Sequence, residues 1–295
     1  MAGINTTKAK ANETAEEHID KKIELEDKLI LDLVLFFTQL AEDYAVIYST
    51  QGKIMTLTES YEDELKSLLK KNYRNVSAEF GNQIRKALED NIDLDMYEPI
   101  PERHNDLRDK IGMSIGAYLL TRSNFIAPRI ANTVQNEMVK QTNEYIVNQA
   151  ARGVAVKQAE VANAVKDKIK EWGENHAKVV STTEVQTVAE QSKFIENEEV
   201  NELCQSVDTQ VGSRKVWITA GDEKVRTSHL VLDGKSIDAD EMFVTGLGSI
   251  MRYAGDMENG ASLSDVINCR CTTVYKYNTQ IIKVYRNTMF RRKGI

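Results

Sequence analysis

Cysteine and proline are both scarce in this sequence of 295 residues, with three of each. So few thiols, and an opening stretch "MAGINTTKAKANETAEEH" without an apolar core, argue against an export signal and for a reducing compartment without disulfides. Long hydrophobic runs are missing too. The best candidate, "LILDLVLFF" from Leu29 to Phe37, falls well short of the ~20 apolar residues of a membrane span and carries Asp32, so it reads as a buried helix. The glycine segments "GLGS" and "GDMENG" lack the strand–loop–helix setting and the lysine of a phosphate cradle. With only 15 glycines and three prolines to interrupt it, the chain is expected to form long helices over much of its length.

What is present is a globular composition, 41% hydrophobic and 28% charged, in a chain long enough for two domains. The net charge of −7 gives no sign of a bulk nucleic-acid binder, but it is unevenly spread. From residue 276 onward stand Lys276, Lys283, Arg286, Arg291, Arg292 and Lys293 with no acid. Removing those six positive charges leaves −13 on the rest. A basic tail of this kind suits phosphates or an acidic protein surface; equally, it can be a solvated, frayed terminus.

Residues 1–18, rich in Thr, Lys, Ala and Glu, read as a flexible arm. Apolar residues then recur at helical spacing: Ile23, Leu29, Leu33, Phe36, Phe37, Leu40, Tyr44; Tyr61, Leu65, Leu68, Leu69, Tyr73; Val76, Phe80, Ile84, Leu88. "MYEPIPERHN" marks a loop. Further stripes run from Leu107 to Leu119, from Ile130 to Ile146, from Val154 to Trp172, and on through "HAKVVSTTEVQTVAEQSKFI", with breaks expected at "TRSN", Gly153 and Gly173. After about residue 205 the texture changes. "RKVWITA" and "CRCTTVYKY" read as strands, and "LDGKSID" carries the Asp-Gly signal of a tight hairpin. The expected organisation is a largely helical domain over 19–154, a loop-rich α+β domain over 155–275, and a basic tail over 276–295.

Side chains able to do chemistry concentrate in the second domain. His229, Cys269 and Cys271 are donors that suit zinc, although the cysteine spacing is short and a fourth ligand is not evident. If Cys269 and Cys271 lie on an extended strand they share one face, with Arg270 on the other. A cysteine with His229 and a carboxylate could serve nucleophilic catalysis, and Asp222, His229 and Asp256 a metal-dependent hydrolysis. The structural alternative is that these groups hold a loop-rich domain together, with Arg226 pairing to Asp222 or Asp256. His18, His104 and His176 read as surface residues.

The order of short motifs carries more information than any one of them. A helix with Thr183-Glu184 is followed by Trp217, Asp222, Arg226, His229, Asp233-Gly234, Phe243, Gly255-Asp256 and Asn268-Cys269-Arg270-Cys271. This series, over about 155–275, resembles the phage Mu F-like family of minor head proteins, which includes head morphogenesis proteins of the SPP1 type. Two positions depart from the family pattern: Ala254 stands where a proline usually precedes Gly-Asp, and Thr182 where an arginine usually precedes Thr-Glu. The resemblance implies a non-catalytic minor head protein without an obligatory cofactor. It would sit in several copies at the portal inside the capsid, made in the host cytoplasm and aiding procapsid assembly and genome packaging or ejection. Its partners would be portal and capsid proteins, with no membrane. Packaged DNA is a further candidate through Lys283, Arg286, Arg291, Arg292 and Lys293. A zinc-dependent hydrolase or toxin-like effector, and an internal head protein ejected with the genome, are the alternatives.

Overall fold

The long helices follow from the scarcity of chain breakers. In the computed structural model, which describes the backbone of residues 2–294 and the side chains of residues 12–294, the first five helices are α1 (Ala2–Gln51), α2 (Glu59–Phe80), α3 (Gln83–Glu89), α4 (Pro101–Ala151) and α5 (Gln158–Gln205). A short strand, β1 (Tyr97–Pro99), precedes α4. Beyond α5 the elements shrink to β2 (Arg214–Ile218), α6 (Thr227–Leu230), β3 (Ser236–Asp238), β4 (Phe243–Val244), β5 (Ile250–Met251), α7 (Leu263–Val266), β6 (Thr272–Lys276), α8 (Thr279–Met289) and β7 (Phe290–Arg292). The fold is α+β and mostly helical.

Two expected breaks do not occur. Helix α4 runs through "TRSN" and across Pro128, and α5 runs through Gly173. Gly173 serves close packing instead: a Cβ there would lie 2.8 Å from the Cβ of Phe37, so only glycine lets α5 approach α1 at this level. Helix α4 opens on Pro101, whose missing N–H costs nothing in the first turn, with Glu102 beside it at the positive end of the dipole.

Contacts divide the chain into two compact units. One is formed by the chain up to Leu25, Arg74–Tyr118 and the chain from Thr182; the other by Glu26–Tyr73 and Leu119–Ser181. The units are interleaved along the sequence, with α1, α4 and α5 each contributing to both. The sequence boundary at 154/155 falls in the turn between α4 and α5. The second unit is a helical core in which Leu29, Leu33, Phe37, Leu65, Leu69, Val134, Met138, Val165 and Ile169 are all essentially inaccessible. Each such side chain contributes roughly 1.5–3 kcal/mol of burial.

In the first unit the centre is the C-terminal half of α5, where every residue from Thr183 to Lys193 is buried. Against it lies an antiparallel sheet in the order β3-β2-β6, with Val216 opposite Val274 and Trp217 opposite Thr273. Strand β2 is central and buried on both faces. Val216 and Ile218 pack with Ala15 of α1 and Val274, while Trp217 points the other way into a cluster with Phe243, Met251, Cys269 and Cys271. The Asp233-Gly234 turn does launch β3, but the link from β2 spans residues 219–235 and holds α6, so the two strands do not form a tight hairpin.

Both ends of the chain differ from expectation. Residues 12–18, expected within a flexible arm, are helical, with Ala15 and His18 buried; Met1 lies outside the described residues. The basic segment is folded rather than a free tail. Asn278 caps α8 by accepting the Ile281 N–H (2.9 Å), the helix buries Ile281, Val284, Tyr285 and Met289, and β7 pairs antiparallel with β1. Ile295 lies outside the described residues.

Candidate metal centre

The motif residues meet because α5 presents a polar face to the chain entering β6. Thr183 Oγ1 accepts the Asn268 N–H (3.2 Å), and Gln186 Nε2 donates to the carbonyls of Ala254 (2.9 Å) and Cys271 (2.8 Å). Glu190 accepts from the Thr272 hydroxyl (2.8 Å) and the Thr273 N–H (2.9 Å), and Lys193 donates to the Thr273 carbonyl (2.9 Å). The spacing 183, 186, 190, 193 keeps all four on one helical face. Lys22 of α1 completes the network, donating to Gln186 (2.6 Å), Glu190 (3.2 Å) and the Cys271 carbonyl (3.1 Å).

These charges are deeply buried and mutually dependent. Burial by itself would raise the Glu190 carboxyl, yet Lys193 and Lys22 hold it at about 2. Burial pulls the Lys193 ammonium down to about 8 against the attraction of Glu190. His18, which also faces Lys193, is pushed down to about 2 by burial and by that ammonium. His18 is therefore an interior residue, and His104 and His176 are half-buried, so none of the three is a simple surface histidine.

Asn268 turns the chain into the site. Its φ of 57° is left-handed, a conformation asparagine tolerates better than most residues. Cys269 and Cys271 follow just ahead of β6, and both sulfurs face His229, which lies in α6. The His229 Nδ1 lies 3.4 Å from Cys271 Sγ and 3.8 Å from Cys269 Sγ, and the three donor atoms all fall within 4.8 Å of one another. Arg270 between them turns outward to a two-pronged pair with Asp222 (2.6 and 2.7 Å). Alternation of an extended chain thus places the two thiols together although neither lies within the strand. The Cys271 thiol's hydrogen bond draws the Cys269 thiol well below its ordinary value despite burial, while that bond and burial push Cys271 up. Trp217 covers the imidazole edge-on at 5.3 Å between ring centres and makes a like contact with Phe243.

Asp265, in α7, is the neighbour that the motif series did not reveal. It is fully buried, accepts from the Ser228 (2.7 Å) and Thr245 (2.8 Å) hydroxyls, and sets Oδ1 3.5 Å from His229 Nε2. That separation lacks hydrogen-bond geometry, so Nε2 is buried without a hydrogen-bond partner among the described residues. Burial would raise the Asp265 carboxyl, but the Ser228, Ser249 and Thr245 hydroxyls and His229 hold it below its usual range. The only sequence signal for it is an acid four residues ahead of Cys269, which by itself reads as an ordinary helix-start acid.

Other motif residues act as ties. Asp256 accepts from the Arg252 N–H (2.8 Å), the Arg252 guanidinium (3.0 and 3.2 Å), the Glu258 N–H (2.9 Å) and Asn259 (2.7 Å). Burial would raise its carboxyl, and the Arg252 guanidinium brings it below the ordinary value. Arg226 donates to the Ile267 carbonyl, so it pairs with neither Asp222 nor Asp256 as expected. Asp233 accepts from the Thr219 N–H and hydroxyl (both 3.0 Å), and the Gly234 N–H donates to the Trp217 carbonyl (2.8 Å). Asp222, His229 and Asp256 are not gathered into one site: among the described residues the cluster with metal-ligand spacing is His229, Cys269 and Cys271. Thr183 and Glu184 are buried on α5. Of the basic residues, Lys283, Arg291, Arg292 and Lys293 are exposed and Arg286 is half-buried against the Tyr97 ring, while Arg291 pairs with Glu98 (2.7 Å) and Lys293 donates to the Leu94 carbonyl (2.7 Å).

Comparison with known proteins covers the part of this assembly that runs from α5 to β6. The family described as phage Mu protein F-like matches residues 126–274, half of the chain; the match begins within α4 and includes every motif residue from Thr183 to Cys271. The minor head protein GP7 of Bacillus phage SPP1 is 36% identical over 76 residues, which are 26% of this chain and 24% of that protein. The chain thus spans about a quarter of that relative's length. No solved structure matches. The ordered motifs, the bonds that join them and the extent of the match make this chain a member of the phage Mu protein F-like family.

Proposed function

We propose that this protein is a minor head protein of a tailed phage. In this reading it is a non-catalytic component placed in several copies at the portal on the capsid interior, where it aids assembly and the packaging or ejection of DNA. The observation that carries the reading is the family match over residues 126–274. The site chemistry supports it, since the motif residues Thr183, Asp222, Asp256 and Asn268 are spent on holding loops to α5 and to one another. Exposed apolar side chains offer contact surface to a protein partner: Leu230 and Val231 at the end of α6, and Val244, Leu247 and Ile250 around β4 and β5. The Gly246 N–H bonds the Ser228 carbonyl (2.8 Å), which keeps these two loops adjacent. Among the described residues no helix is long and apolar enough to cross a membrane.

Co-expression with the portal protein encoded in the same genome tests the docking. The two are expected to co-purify, and a Leu247→Glu, Val231→Glu double variant to lose at least about tenfold in affinity. Failure of the unmodified chain to associate with either portal or capsid protein contradicts it. Contact with DNA, in this reading, runs through Lys283, Arg286, Arg291, Arg292 and Lys293. Deleting residues 276–295 is a poor test because it removes buried Ile281 and Tyr285. Neutralising Lys283 and Arg292 to Gln should instead reduce the salt slope of duplex binding by about two, and an unchanged slope removes DNA from the account.

A further inference from the structure

We infer that His229, Cys269 and Cys271 bind a zinc ion, with a fourth coordination position opening on a cavity large enough for one water. This goes beyond the head-protein reading and does not depend on it. Tetrahedral zinc with Zn–N near 2.0–2.1 Å and Zn–S near 2.3 Å requires a nitrogen–sulfur edge of about 3.6 Å. The two edges here are 3.4 and 3.8 Å.

Both sulfurs converge on the same nitrogen, His229 Nδ1, which in a neutral imidazole has a single lone pair. One thiol can satisfy that lone pair by hydrogen bonding, and the other sulfur then has no bond to make there. A cation among the three donors accounts for both approaches at once. A divalent ion also compensates two thiolates in a place where Cys269 is wholly buried and Cys271 nearly so.

Behind the histidine, Nε2 is buried, has no hydrogen bond among the described residues, and faces Asp265 Oδ1 at 3.5 Å. Asp265 is itself fixed by Ser228 and Thr245. A carboxylate on the far nitrogen is the usual support of a metal-bound imidazole: it keeps the proton on Nε2 and the lone pair of Nδ1 free for the metal. The fourth position has room. A cavity of about 10 Å³ touches His229 and Cys271 and is lined further by Ala220, Lys224, Val225, Arg226, Asn268 and Arg270. That volume matches one water. The short Cys-x-Cys spacing is workable because Arg270 swings out to Asp222 and leaves both thiols on the inner side.

The test uses the full chain, purified under reducing conditions and supplied with zinc alone. After dialysis it should retain one zinc per chain. Cobalt in its place should show thiolate-to-metal charge transfer and the intense visible bands of a tetrahedral site. Cys271→Ser should lower zinc affinity at least about tenfold and Asp265→Asn about 10–100-fold, while Cys204→Ser, which changes the remote third thiol, should not alter it. Should Cys271→Ser fail to fold, the cobalt spectrum of the unmodified chain and the Asp265→Asn titration decide. A folded, reduced chain that retains no zinc and gives a featureless cobalt spectrum overturns the inference. Undiminished affinity in a folded Cys271→Ser variant does the same.

Discussion

Glu190 is fully buried between two lysines, and its removal should be felt more than that of any apolar neighbour. Glu190→Gln leaves the Lys22 and Lys193 ammonium groups buried without their counter-charge, a loss expected at about 3–5 kcal/mol in urea unfolding. The same cluster sets the acid limit. Glu190 is held at about 2 and His18 at about 2, both below their ordinary values. In each case the unfolded chain takes up a proton that the folded chain refuses. Stability is therefore fully present above the ordinary values, and is lost as pH falls through the histidine range and then the carboxylate range. Urea midpoints should fall continuously between about pH 7 and pH 4, and a flat profile there contradicts the arrangement. At Gly255, φ is +86° and an added Cβ would sit 3.1 Å from Gln186 Cγ, so Gly255→Ala should cost about 1–3 kcal/mol by thermal melting. The departure at Ala254 has a physical reading: its N–H donates to Thr273 Oγ1 (3.0 Å), a bond that proline cannot make.

At the scale of elements, apolar spacing revealed the helices but not where they stop. Gly173 reads as a terminator by composition, and its close approach to Phe37 becomes visible only once α1 is beside α5. The C-terminal half of α5 was harder still. Apolar spacing gives no reason to bury Thr183, Gln186, Glu190 and Lys193, and they are buried because an incoming chain supplies a partner for each. Composition alone likewise showed charge in residues 276–295 and missed the stripe of Ile281, Val284, Tyr285 and Met289 beneath it. Truncation at Asn278 should accordingly cost several kcal/mol or prevent folding. The Lys283→Gln, Arg292→Gln variant should stay within about 0.5 kcal/mol of the parent in the same melt. Equal loss in both would mean that α8 contributes by charge rather than by burial.

For the whole molecule, the motif order led to the family before any geometry was known, because those residues are the ties between α5, β2, α6 and β6. Donor type made His229, Cys269 and Cys271 one of several candidate groupings in the sequence, and the structure is what brings these three together. Asp265 was not legible, since nothing local distinguishes it from a helix-start acid. The interleaving of the two units was not legible either, because helices of about 50 residues pass from one unit to the other without a break that composition could mark. Quantitative mass spectrometry of procapsids and mature virions from the phage that encodes this chain should find it in both, in far fewer copies than the major capsid protein and cross-linked to the portal. Its absence from both particles would contradict the account.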